Sequence, residues 1–175
     1  MGAISTAKMT FEEFEQLPDE AGKLELLQGE LIRMPPAEKR HNRAAVRFFK
    51  LLDAAIEKLG IGVGQAEIEM GYRLSHKPSW LIPDVSVSLR DQPGDRYLEG
   101  SPMIALEIVS PNNTAAHLDR KIQEYLTGGA LEVWIVYPDS RHAWVYVPDA
   151  VARREDWGFR STLLPGVEIP FEAFL

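Results

Sequence analysis

The chain has 175 residues, a formal net charge of −7, 45% apolar and 26% charged residues, and no cysteine. That balance fits one globular domain over residues 1–175, and it excludes disulfides and thiolate zinc sites. The acidity argues against a general nucleic-acid binder, yet it permits a local basic stripe or an acidic site neutralised by divalent cations. Residues 1–9 contain no apolar core of signal-peptide length, so a flexible N-terminus, a cytoplasmic location and no membrane contact are expected.

Thr10-Phe11-Glu12-Glu13 opens a short helix, with Thr10 as N-cap and Glu13 in the reciprocal position of a capping box; Pro18 stops it. Leu24–Leu27 and Glu30–Met34 flank Gln28-Gly29 and predict a hairpin. The spacing then predicts a long helix from Glu38 to Leu59, with Ala45, Phe48, Phe49, Leu52, Ile56 and Leu59 on one side. Arg40, Arg43, Arg47 and Lys50 lie on the other side, and His41 projects with the apolar face. The basic stripe is either a solvated helix face or a contact for a phosphate backbone. Val63–Leu74 and Trp80–Leu89 are expected as two strands joined by Ser75–Ser79. Asp84 stands at the start of the second, and Asp91–Arg96 forms a loop.

The run Met103-Ile104-Ala105-Leu106-Glu107-Ile108-Val109 suits a strand covered on both faces. A carboxylate does not belong in such a run, because an unpaired buried charge costs several kcal/mol or neutralises. Glu107 therefore requires a lysine, an arginine or a metal ion beside it. A helix from about Thr114 to Leu126 follows, burying Leu118, Ile122 and Tyr125, with Lys121 at the edge of that side and able to reach inward. Strands are expected at Leu131–Tyr137, Arg141–Val147 and Trp157–Leu163, and a short helix at Phe171–Leu175. The order implies an α/β (α+β) fold: a mixed central sheet flanked by helices, preceded by a helix and a hairpin.

Asp84 and Glu107 fall on consecutive strands, which tend to be neighbours. Two carboxylates at one place need a proton or a cation between them, and a hard divalent ion suits. Backbone carbonyls beside Glu107, such as that of Ile108, offer another oxygen, and Lys121 a point charge. These are the components of metal-assisted phosphodiester hydrolysis. The plainer alternatives are a turn-forming Asp84, a buried Glu107–Lys121 ion pair, a solvent-exposed Glu30 and a hydrogen-bonded core His41.

The series Leu26-Leu27-Gln28-Gly29-Glu30-Leu31, Met34-Pro35-Pro36 with His41, Pro83-Asp84-Val85, Leu106–Thr114, Asp119–Leu126 and Val133–Pro138 resembles the PD-(D/E)xK nuclease superfamily. It is more closely similar to the restriction-endonuclease-like family of Uma type. The resemblance implies a restriction-endonuclease-like core and a Mg²⁺- or Mn²⁺-dependent endonuclease acting on DNA, working as a homodimer. It implies catalytic Asp84, Glu107, Lys121 and Glu30, metal binding by Asp84, Glu107 and Ile108, and support from His41 and Tyr125. Arg40, Arg43, Arg47 and Lys50 would touch nucleic acid. The superfamily pattern puts the lysine two residues after the glutamate; Val109 fills that slot here, so Lys121 must bring its ammonium from the next helix. A catalytically inactive nuclease-fold binding or assembly module is the alternative.

Overall fold

A computed structural model describes residues 8–18, 23–60, 64–74 and 77–175. Most of the expected N-terminal tail, and Ser75 and His76 of the Ser75–Ser79 turn, lie outside these residues. Met9, at the end of that tail, donates its amide to the Gly29 carbonyl at 2.8 Å.

Helix α1 (Phe11–Glu15) carries the complete capping box, with Thr10 and Glu13 each bonded to the other's backbone amide. Phe11 anchors it against Trp80 and Tyr97. Strands β1 (Leu24–Leu27) and β2 (Glu30–Arg33) form the hairpin, with Leu27 opposite Glu30. Both turn residues take left-handed backbone angles, Gln28 at φ 54° and Gly29 at φ 82°, as a tight two-residue turn between twisted strands requires. Helix α2 (Lys39–Leu59) buries Ala44, Ala45, Phe48, Leu52 and Ile56 and ends at a left-handed Gly60.

The two long strands expected next are each broken. The first divides into β3 (Gln65–Ile68) and β4 (Tyr72–Leu74), the second into β5 (Ser79–Leu81) and β6 (Val85–Ser88). β3 pairs with β6 and β4 with β5, so the ribbon leaves one sheet and enters another. The bend falls where Glu69 is left-handed (φ 48°) and Pro83 cannot donate to a ladder. One bond from the Glu69 amide to the Asp84 carbonyl, at 3.2 Å, spans it. Asp84 is therefore set at a corner.

After β7 (Leu98–Glu99) come β8 (Ile104–Ile108), helix α3 (Ala115–Thr127) and β9 (Glu132–Tyr137). β8 and β9 are parallel, joined across α3, while β6 runs antiparallel to β8, so the sheet is mixed. Strands β10 (His142–Tyr146), β11 (Arg153–Glu155), β12 (Gly158–Arg160) and β13 (Glu168–Pro170) follow, then α4 (Phe171–Phe174). The strand expected over 157–163 contracts to β12; its partner β13, and the edge strand β11, were not expected from the sequence. The sheet orders are β11-β10-β9-β8-β6-β3, β2-β1-β5-β4-β7 and β12-β13.

Alternation along β8 decides the layering. Ile104, Leu106 and Ile108 join a core with Phe48, Leu52, Trp134, Phe159 and Phe174, beneath α2 and the C-terminal elements. Ala105 faces the other core, with Leu118, Ile122 and Tyr125 of α3 and Leu27, Tyr72 and Leu81 of the five-stranded sheet. Glu107 belongs to this second face.

Buried Glu124 of α3 ties the hairpin to that core, accepting from Gln28 Nε2 and Ser79 Oγ at 2.7 Å each. Ser79 Oγ also accepts from the Gln28 amide at 2.9 Å. Ser79→Ala will destabilise the chain by about 1–3 kcal/mol in urea unfolding, since it strips a partner from the buried Glu124 carboxylate and from the part-buried Gln28 amide. A loss near zero would show that the clamp is dispensable.

Candidate active site

The next step of the β6–β8 register, after Val85 opposite Leu106, sets Asp84 opposite Glu107. Asp84 Oδ2 accepts the Ile108 amide at 2.7 Å, and Oδ1 lies 2.9 Å from His41 Nε2. Burial, followed by the nearby Lys23 ammonium, pushes His41 below the ordinary histidine range. The contact is therefore a hydrogen bond from a neutral ring rather than an ion pair. Each Asp84 oxygen retains a lone pair for another ligand.

Glu107 is gripped from α3. The Lys121 ammonium lies 2.6 Å from Glu107 Oε1, and the Tyr125 hydroxyl donates to the same oxygen at 2.9 Å. Both donors converge on Oε1, so neither occupies Oε2. Lys121 reaches the spot from three residues past Leu118 on the same buried side of α3. Its ammonium also donates to Glu25 Oε1 at 2.9 Å, an oxygen that accepts the Ile82 amide at 2.9 Å as well. Glu25 is fully buried, and its Oε2 has no hydrogen-bond partner. His117 Nε2 lies 4.0 Å from that oxygen.

The electrostatics follow from an imbalance: Glu25, Asp84 and Glu107 are three buried carboxylates around one ammonium. Burial pushes the Asp84 carboxyl up to about 6, against the pull of the Ile108 amide and Lys121. Burial likewise pushes Glu107 up to about 7; Lys121 opposes this, and the Asp84 and Glu25 charges add to it. For Lys121, burial alone would lower the pKa, but Glu107 and Glu25 outweigh it and hold the ammonium above the ordinary lysine range. Lys121 is thus a fixed cation near neutral pH.

Asp84, Glu107 and Ile108 line a cavity of about 280 Å³. Ile32, Met34, Pro35 and Pro36, from β2 and its link to α2, line it from one side, and Asn112, Asn113, Thr114 and His117, around the start of α3, from another. Lys23 and Glu69, paired at 2.8 Å, also border it. Lys121, Tyr125 and Glu25 do not line the cavity; they lie behind Glu107.

Of the residues singled out in the sequence, Asp84, Glu107, Lys121, Ile108, His41 and Tyr125 come together. Glu30 does not. Its carboxylate is 58% exposed and bonds Arg120 at 2.7 Å, outside the cavity lining. The acid that the hairpin contributes is Glu25. Its signal was present in Leu24-Glu25-Leu26-Leu27, a lone carboxylate in an apolar strand, the same anomaly that marks Glu107. Arg40, Arg43, Arg47 and Lys50 do lie on the exposed face of α2, where Arg40 pairs with Asp139 at 2.6 Å.

Among the described residues, no helix is long and apolar enough to cross a membrane. Comparison with curated proteins returned no match. Among solved structures, the chain resembles a protein of Anabaena variabilis described as a putative nuclease belonging to DUF820. The TM-score is 0.81, with 19% identity, over 95% of this chain and 97% of the other. At that identity the likeness concerns the fold. The family model Uma2, described as "Putative restriction endonuclease", matches residues 11–172. That span holds every element from α1 into α4 and the whole carboxylate–lysine group, and the chain belongs to the Uma2 family.

Proposed function

We propose that the chain is a divalent-cation-dependent endonuclease that hydrolyses phosphodiester bonds in DNA. The carrying observation is that Asp84, from a sheet corner, and Glu107, from a central strand, meet at one cavity, with the Lys121 ammonium of α3 bonded to Glu107 from behind.

The donor set suits a hard cation. Among the described residues, no three acidic or histidine side chains are grouped to hold an ion by themselves. Mg²⁺ is commonly held by one or two carboxylates, with waters and substrate phosphate completing its shell. Asp84, Glu107 and the Ile108 carbonyl offer such a set, and an added double positive charge would balance the two surplus buried carboxylates. When bound, the ion would polarise the scissile phosphate and supply a water of lowered pKa.

The residues of the chain do the remaining work. His41 and the Ile108 amide fix the Asp84 carboxylate, and Tyr125 and Lys121 fix Glu107 through one oxygen. Glu25 holds Lys121 from behind. Because Lys121 stays charged, it cannot be the base that deprotonates water; it orients Glu107 and adds positive potential where the phosphorane charge develops. The missing lysine of the strand, where Val109 stands, is replaced in space by one from α3.

Nicking of supercoiled plasmid tests the reading. Wild type should nick in Mn²⁺ and not in EDTA, and Glu107→Ala should fall to background. Activity that survives the substitution would place the chemistry elsewhere; no nicking by wild type would favour the inactive binding module. For the stripe on α2, Arg43→Glu with Arg47→Glu should lower DNA affinity and reduce the salt slope by about 2, if each arginine meets one phosphate. An unchanged slope would leave the stripe as solvated surface.

A further inference from the structure

From the depth of the site we infer that the substrate is an unpaired stretch of DNA strand, one nucleotide of which enters the cavity, rather than the intact duplex. This rests on the hydrolytic reading above and adds the form of nucleic acid it acts on. The Asp84 side chain is 11% exposed and the Glu107 side chain 9%. A phosphate must pass below the rim to reach them. In a duplex, each phosphate is held by two stiff neighbours and a stacked, paired base, so the backbone follows a rim more readily than it descends to carboxylates this buried. An unpaired nucleotide has no pairing and less stacking to give up, and enzymes that work in snug pockets favour such strands for that reason.

The size and lining of the cavity agree. About 280 Å³ lies just below the roughly 300–1,000 Å³ of pockets that hold one small organic molecule. The acids that would hold the cation share it with apolar Ile32, Met34 and Pro36, suited to a sugar or a base face. Asn112 supplies a donor and an acceptor for a base edge, while the Asn113 oxygen is taken up by Ser110. A site for a duplex backbone alone has no use for such a lining, because phosphate contacts are polar and charged.

The test uses the full chain and three labelled DNAs of one sequence: a single strand, the blunt duplex, and the duplex carrying a central unpaired loop. Binding is read by fluorescence anisotropy in Ca²⁺ and cutting on gels in Mn²⁺. The single strand and the loop should be bound about tenfold or more better than the blunt duplex, with cuts confined to unpaired nucleotides. Ala37→Trp, at an exposed position that lines the cavity, should remove that preference while leaving the melting temperature and its shift in Mn²⁺ intact. A smaller preference, no binding at all, or a preference that Ala37→Trp leaves untouched overturns the inference. A preference in binding with no cutting of any DNA would uphold it and overturn the hydrolytic reading instead.

Discussion

Replacing Lys121 by methionine will destabilise the fold by about 3–5 kcal/mol at pH 8, the range found when one partner of a buried ion pair is removed, and will reduce nicking to background. Methionine keeps the apolar stem and nearly the volume, so packing contributes little to the loss. What disappears is the cation within 2.6 Å of Glu107 and 2.9 Å of Glu25. The pH dependence separates this cause from a packing defect. In wild type, the raised Lys121 pKa gives stability that is present below the ordinary lysine range and lost only as pH rises through the folded value, so nothing changes between pH 5 and 8 on its account. In the variant, Glu107, already at about 7, moves further up. Its cost is small while protonated and grows as pH rises. The deficit in urea unfolding should therefore be larger at pH 8 than at pH 5. Adding Glu25→Gln should recover part of the stability and none of the activity. A deficit below about 1 kcal/mol, the size of a surface pair, and equal at both pH values, would show that the ammonium is not engaged as described.

The residues that could be foreseen share one property: each violates the pattern around it. Glu107 interrupts an apolar run, Lys121 sits at the edge of a buried helix side, and His41 falls on the apolar side of a basic helix. Local period alone reveals such misfits. The bend at Glu69 and Pro83 left less trace. A two-residue alternation continues through the point where a strand changes sheets, so Val63–Leu74 reads as one strand although it serves two. Only Pro83 and the Met70-Gly71 pair mark the place. Short β11, Arg153-Arg154-Glu155, has no apolar period, being held by its ladder to β10. Glu25 shows a different limit. In a lone hairpin Glu25 can face solvent, and it becomes interior because α3 packs over that side and Lys121 meets it there. Glu30, at the tip, had the more conspicuous position, yet no element packs over it. Local pattern thus identifies the strands and helix that carry the site, while tertiary covering decides which hairpin acid enters it.

Divalent-ion affinity should rise by about a thousandfold between pH 5 and pH 8, because the ion must displace the protons that burial and mutual repulsion hold on the carboxylates. The magnitude comes from linkage: a group at about 6 and one at about 7 together hold nearly two protons at pH 5 and almost none at pH 8. Competition then weakens the ion by roughly tenfold through the first and a hundredfold through the second. The two acids titrate as a pair, so the prediction concerns their sum. The sign for the ion-free protein is opposite. Both pKa values lie above the unfolded ones, so the associated stability is present at low pH and is lost as pH climbs through about 6 to 7. The melting temperature without ions should fall over that window, while the upward shift on adding Mn²⁺ should grow. Calorimetric titrations at pH 5 in buffers of different ionisation enthalpy count the released protons directly; the total should approach two, and fall toward zero at pH 8. An affinity flat across the range, or one whose pH dependence survives Asp84→Asn with Glu107→Gln, would mean that the ion binds elsewhere and that these carboxylates serve only to hold the lysine.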